Sequence, residues 1–172
     1  RPEIAAVPGI PAGRVALKER ERLEKAGSWD GKLTLEFNGA APAVRAISIE
    51  PVQAPTVFIV GDSTVCDNPA EPWGSWGQMI TAFFTPAVAV SNQAESGESY
   101  RDSIRRRRLD KILSMMQPGD TLLMQFGHND QKQLAKGSGS AATTYKDEIR
   151  VHVAGGRQRG GVPVGDSPLE GR

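Results

Sequence analysis

Four short runs of apolar residues constrain this chain more than any other feature: Val57–Val60, Val88–Val90, Thr121–Phe126 and Val162–Val164. They are apolar throughout rather than at alternate positions, as strands buried on both faces must be. Helical spacing fills the intervals. Trp73–Phe84 carries Trp76, Met79, Ile80 and Phe83 at helix spacing, and Asp102–Gln117 carries Ile104, Leu109, Ile112, Leu113 and Met116 on one stripe. Pro118-Gly119-Asp120 stops that stripe. Thr143 or Thr144 caps a third helix to about Gln158, which Gly155-Gly156 should weaken by roughly 1 kcal/mol per residue, so that it frays. Strands alternating with helices predict an α/β fold, a doubly wound parallel sheet in three layers, over residues 55–172. Ligands of such sheets sit at the carboxyl ends of the strands.

Upstream, residues 1–54 have a different texture. The first part is rich in Pro, Gly and charge, and Leu17–Gly27 has too thin an apolar face for a partner helix, so a solvated loop is expected. Lys32–Gly39 and Val44–Glu50 alternate cleanly, with Leu33, Leu35 and Phe37 on one face. That is a two-strand antiparallel signal. A lone hairpin is marginal in water, so these strands are expected to end a β-sandwich domain that precedes the α/β part. The chain opens on Arg1 with no initiator Met and no signal peptide, and its natural start is expected upstream.

Composition excludes more than it assigns. Twenty-one basic residues balance 20 acidic ones, so no global field draws in nucleic acid or anionic lipid. No apolar run approaches the roughly 20 residues of a membrane span. One cysteine, Cys66, leaves no intrachain disulfide. The run Arg105–Arg108 lacks interleaved aromatics and is expected to be a solvated face or a contact with an acidic polymer.

Three strand ends carry chemistry. The first ends in Gly61-Asp62-Ser63, the second runs into Asn92-Gln93-Ala94-Glu95-Ser96-Gly97, and the third ends in Gly127-His128-Asn129-Asp130. In a parallel sheet these ends converge. A serine there can attack a carbonyl while glycine N–H and asparagine amide donors hold the developing oxyanion. Taken singly, each has a plainer reading: Ser63 as a helix cap, Gly97 as a turn glycine, Asn129 as a loop cap. The ordered set is more specific than its parts.

Residues 55–164 resemble the SGNH (GDSL) hydrolases, and more narrowly the rhamnogalacturonan acetylesterases. The resemblance is carried by GDSTV (Gly61–Val65), WGQM (Trp76–Met79), NQAESG (Asn92–Gly97), RLDKIL (Arg108–Leu113), PGD (Pro118–Asp120), QFGHNDQK (Gln125–Lys132) and TTYK (Thr143–Lys146). It implies a flavodoxin-like α/β/α fold, with Ser63 as nucleophile and the Ser63 and Gly97 N–H groups and the Asn129 side chain as oxyanion donors. Asp62, His128 and Asp130 are implied as site-shaping residues. The implied reaction removes acetyl groups from O-acetylated pectic polysaccharide through an acetyl-enzyme, with no metal and no cofactor, in a secreted, periplasmic or cell-surface protein that binds neither nucleic acid nor membrane. Alternatives are another GDSL esterase or lipase acting on small esters, and a non-catalytic polysaccharide-binding protein on a hydrolase scaffold.

The family takes the serine proton with a His oriented by an Asp, in a D-x-x-H segment near the C-terminus. This chain has two histidines, His128 and His152, and no such segment. His152 falls on a core-facing stripe with Tyr145, Ile149 and Gly156 and is expected to be a hydrogen-bonded core histidine. The base and its Asp are therefore expected in sequence that this chain lacks, the hydrolase domain being incomplete at its C-terminus and one sheet edge uncovered. The second Gly-Asp-Ser, Gly165–Ser167, is read as coincidence.

Overall fold

The computed structural model describes residues 1–23, 26–33, 35, 37, 39–68 and 72–166. In chain order its elements are β1 (Glu3–Ile4), β2 (Gly13–Arg14), α1 (Glu19–Leu23), a 3₁₀ turn (Ala26–Trp29), β3 (Thr56–Gly61), α2 (Trp76–Met79) running into a 3₁₀ turn (Ile80–Phe83), and β4 (Ala89–Asn92). Then come α3 (Tyr100–Arg105), α4 (Arg108–Leu113), β5 (Thr121–Gln125), α5 (His128–Ala135), a π turn (Ala141–Tyr145), α6 (Lys146–Gln158) and β6 (Val162–Asp166).

The four apolar runs pair in parallel, in the order β4-β3-β5-β6. Strands that follow one another in the chain (β3 to β4, β4 to β5, β5 to β6) are joined by helical crossovers, which is the doubly wound α/β fold expected from the sequence. Side chains alternate across the sheet. Phe58, Val60, Leu122 and Met124 point to one face and pack with Tyr100, Leu109, Ile112 and Leu113 from α3 and α4, while Val57 and Ile59 point to the other, against Val65, Trp76 and Ile80. The larger core also takes in Ile4, Ile10 and Val15 from the first residues of the chain.

Several expectations are corrected by packing. The helix expected over Asp102–Gln117 is two helices, broken at Arg107, which adopts a left-handed conformation at φ 60°. Such a conformation costs a non-glycine residue roughly 1–2 kcal/mol. It lets the Arg107 side chain donate to Pro11 O (2.7 Å) and pair with Asp110 (2.8 Å). The arginine run is thus a solvated face only at Arg105, which is exposed. Arg106 donates to Ala16 O at 3.0 Å, and Arg108 is buried. Nor does α6 fray at its glycine pair. A Cβ on Gly155 would lie 2.7 Å from Leu113 Cδ1, and one on Gly156 3.5 Å from Leu122 Cδ2, so the missing side chains seat the helix on α4 and β5. That helix opens from Ser140, whose Oγ accepts from Thr143 N at 3.2 Å, not from Thr143 or Thr144. The helix anticipated at Trp73 starts at Trp76, with Ser75 as its cap.

The segment read as a solvated loop, Leu17–Gly27, contains α1, whose Glu21 is buried. The alternating segments at 32–50 form no strand among the described residues, and Leu33, Leu35, Phe37, Ile47 and Ile49 are exposed. Thr34, Glu36 and Asn38 lie outside the described residues. At the far edge, Val162 and Val164 of β6 are exposed.

Candidate active site at the carboxyl edge

Gly61 pairs in register with Gln125, so β3 and β5 release their chains at the same level of the sheet. A Cβ on Gly61 would lie 2.6 Å from Gln125 O and 2.5 Å from Val65 Cγ2, so only glycine lets the backbone fold back there. The turn that follows is braced from within. Asp62 Oδ1 accepts from both the N–H and the hydroxyl of Thr64, each at 2.9 Å, and Asp62 O accepts from Val65 N and Cys66 N at 3.0 Å. Asp62 is buried by this arrangement. Ser63 stands exposed at the tip, and its hydroxyl makes no hydrogen bond among the described residues.

The loop after β4 is bonded to this turn. Asn92 Nδ2 donates to Val65 O (2.8 Å) and to Asp67 Oδ1 (2.9 Å), and Glu95 N donates to Gly61 O (3.1 Å). Gly97 then takes φ 73°, a conformation that favours glycine, inside a turn closed by Glu98 N donating to Glu95 O at 3.1 Å.

The third loop docks on the second. Asn129, in the first turn of α5, donates from Nδ2 to Glu98 O at 2.9 Å, one residue from Gly97. Asp130 Oδ1 accepts from Tyr100 N at 3.0 Å. Its other oxygen is buried with no hydrogen-bond partner among the described residues, and burial pushes the carboxyl up to about 6. His128 is half exposed, with Nδ1 4.0 Å from Asp62 Oδ2.

His152 lies in the core behind this edge, its ring 4.9 Å from that of Tyr100 and 6.1 Å from that of Phe126. It is fully buried in α6, with Nδ1 2.9 Å from Glu148 O and Nε2 3.1 Å from Ser103 Oγ, and burial pushes its pKa down to about 4. The expectation of a hydrogen-bonded core histidine holds. With both ring nitrogens engaged, it has no path to Ser63.

Four contributors escaped sequence reasoning. Asn92 was visible only as part of a motif, yet its amide links two loops. Trp76 Nε1 donates to Gln125 Oε1, tying α2 to the end of β5. Lys18 and Arg20, from the segment read as loop, reach the loop around Gly97 through Ser96 O and the Glu95 carboxylate. No local signal marks them. Among the described residues, no group of His, Cys, Asp and Glu is arranged to hold a metal ion.

A sheet with a free serine, a left-handed glycine and an asparagine amide at successive strand ends is the frame of an SGNH hydrolase. No family model matches the chain. It is 37% identical over 117 residues to the rhamnogalacturonan acetylesterase RhgT of Bacillus subtilis, covering 67% of this chain and 48% of that protein. The YxiM protein of Bacillus subtilis superposes with a TM-score of 0.63 at 29% identity, over 72% of this chain and 35% of that one. A member of the lipolytic G-D-S-L family from Veillonella parvula has the same fold, with a TM-score of 0.51 at 18% identity, over 65% of this chain and 57% of that one. The chain belongs to the SGNH (GDSL) hydrolase family, on its rhamnogalacturonan acetylesterase-like side. It spans about half the length of the curated relatives it matches.

Proposed function

We propose that this chain carries the nucleophile and the oxyanion donors of a carbohydrate O-acetylesterase acting on acetylated pectic polysaccharide. Ser63 Oγ attacks the acetyl carbonyl carbon. The carbonyl oxygen becomes an oxyanion, held by the Ser63 and Gly97 N–H groups and by the Asn129 amide. Collapse of the tetrahedral intermediate expels the sugar hydroxyl and leaves acetyl-Ser63, which water then hydrolyses. The observation that carries this reading is the bond from Asn129 Nδ2 to Glu98 O. An amide nitrogen has two hydrogens. One is fixed by the carbonyl, leaving the other for a substrate oxygen beside Gly97. The names of the relatives supply the substrate class.

A serine hydroxyl needs a base. His152 is locked in the core, and the family's D-x-x-H is not in the sequence, so this reading assigns the base to sequence outside this chain. On its own the chain then turns over slowly, with about 1,000-fold acceleration over water left from the oxyanion donors. A cell-wall polymer does not cross a membrane, so the reading puts the working protein outside the cytoplasm. Among the described residues, no helix is long and apolar enough to cross a membrane.

The test is hydrolysis of p-nitrophenyl acetate and release of acetate from acetylated rhamnogalacturonan, by this chain and by a longer version carrying a D-x-x-H segment. In the longer version Ser63→Ala abolishes turnover and Asn129→Ala lowers it about 100-fold or more. Full activity in Ser63→Ala would sink the assignment. Brisk turnover by the chain alone, lost in His128→Ala, would make His128 the base and refute the external one.

A further inference from the structure

The side chains of Lys18 and Arg20 converge on the loop that carries Gly97. Lys18 Nζ donates to Ser96 O at 2.6 Å and lies 2.9 Å from Glu98 Oε1. Arg20 pairs with the carboxylate of Glu95. Arg106 and Arg108 reach Glu98 at 3.5 and 3.4 Å, and Arg108 also pairs with Glu21. Glu21 in turn accepts from Lys18 N at 2.8 Å and Trp29 Nε1 at 3.0 Å. Residues 95, 96 and 98, on either side of Gly97, are therefore each held by the N-terminal segment.

Glu21, Glu95, Glu98 and Arg108 are 1–4% exposed. Buried ion pairs contribute little net stability against apolar packing of the same volume, and what they can supply is a single geometry. A glycine at φ 73° has wide conformational freedom, so the direction of its N–H has to be set by its neighbours. Oxyanion donors work only when aimed in advance, and a misplacement of about 1 Å costs about 100-fold. Arg20 also faces the Cys66 side chain, in the turn that presents Ser63. Burial pulls its pKa down, but Glu95 and then Cys66 outweigh that and hold it above the usual arginine value. The Arg20 guanidinium is paired to the glycine's loop and lies within electrostatic reach of the turn that presents Ser63.

We infer that Lys18 and Arg20 are positioning residues for the oxyanion site, fixing the Gly97 N–H, and through Glu98 O the Asn129 amide, relative to Ser63. The inference rests on the acyl-transfer reading of Ser63, Gly97 and Asn129. The N-terminal segment is on this account a working part of the site.

The probe is phenylboronic acid with the full chain. Its trigonal boron takes up Ser63 Oγ, the serine proton passes to solvent, and the tetrahedral adduct presents a boron-bound oxygen to the oxyanion donors without needing a base. Boron NMR and calorimetry give its Kd, and nitrogen-edited NMR follows the Gly97 amide. The wild type forms an adduct that Ser63→Ala does not. Lys18→Met and Arg20→Met weaken it about tenfold or more and abolish the adduct-induced Gly97 shift, and Arg20→Lys restores part of both. Arg14→Ala, which breaks only an exposed pair with Glu3 at 3.3 Å, leaves the Kd unchanged. A Ser63-dependent adduct of wild-type affinity in the Met variants overturns the positioning role alone. No Ser63-dependent adduct in the wild type overturns the acyl-transfer reading and this inference with it. If the Met variants fail to fold by circular dichroism, Arg20→Lys decides: a weaker adduct with a displaced Gly97 amide supports the role, and wild-type values refute it.

Discussion

Residues 1–30 and residues 31–55 precede the same sheet, and sequence and structure rank them in opposite order. The first stretch, charged and rich in Pro and Gly, looks like solvent-exposed chain, yet it buries Ile4, Ile10, Val15 and Glu21 against the hydrolase fold. The second has the clean alternation of a hairpin, yet its described residues form no strand and leave their apolar side chains exposed. Alternation specifies a face, but a face is buried only when another surface meets it. Charge specifies solvent only when no partner of opposite sign is carried to it. Arg108 meets Glu21 and Glu98, and none of the three could have found the others from sequence spacing.

The largest effect that tests this contrast is at Arg108. Replacing it with Met leaves Glu21 and Glu98 buried with less compensation, and breaking a buried pair in this way costs about 3–5 kcal/mol. Chemical denaturation of Arg108→Met should register that loss. A cost below about 1 kcal/mol would mean that the N-terminal segment is only loosely laid on the surface, and the contrast would collapse.

A second test uses acid. In the unfolded chain the His152 imidazole takes up its proton near pH 6.5, whereas in the fold it does so only near 4. Between those values the unfolded state binds the proton and the folded state does not. The stability that His152 contributes is therefore complete above pH 6.5 and lost as the pH falls toward 4, by up to about 3 kcal/mol. Asp130 acts in the opposite sense: its folded pKa is raised to about 6, so its contribution is full below the unfolded value of 3.8 and lost as the pH rises through 6. The two partly offset each other in the wild type. Comparing it with His152→Asn across pH 4–7 isolates the histidine, and a difference that does not change with pH would place His152 in a wetter setting than the α3–α6 interface.

The parallel sheet was legible because each central strand is apolar at every position, a pattern that needs no knowledge of neighbours. The placement of Ser63, Gly97 and Asn129 at one edge was legible for a related reason: they follow the ends of those strands, and a parallel sheet carries such ends to one side. What was not legible depends on contacts remote in sequence. The break at Arg107 exists because Pro11 O receives its guanidinium. Gly155-Gly156 looked like a weakness until Leu113 and Leu122 came up against them. The helix at His128–Ala135 has too weak an apolar stripe to announce itself, and Lys18 and Arg20 have no motif at all.

The smallest expected effect sharpens the contrast from its other side. Leu35 and Phe37 are 50% and 49% exposed although the sequence sets them on the buried face of a strand. If nothing covers that face, Leu35→Ser and Phe37→Ser remove little buried area, and each changes stability by less than about 0.5 kcal/mol, as surface substitutions do. Set beside Arg108→Met, an apolar residue would then matter several-fold less than a charged one, the reverse of their usual order. The measurement is the denaturation midpoint of each variant at constant slope. A loss in Phe37→Ser as large as that in Arg108→Met would mean that the alternating face is docked in solution, so the two upstream segments would be equals and the contrast between them would fail.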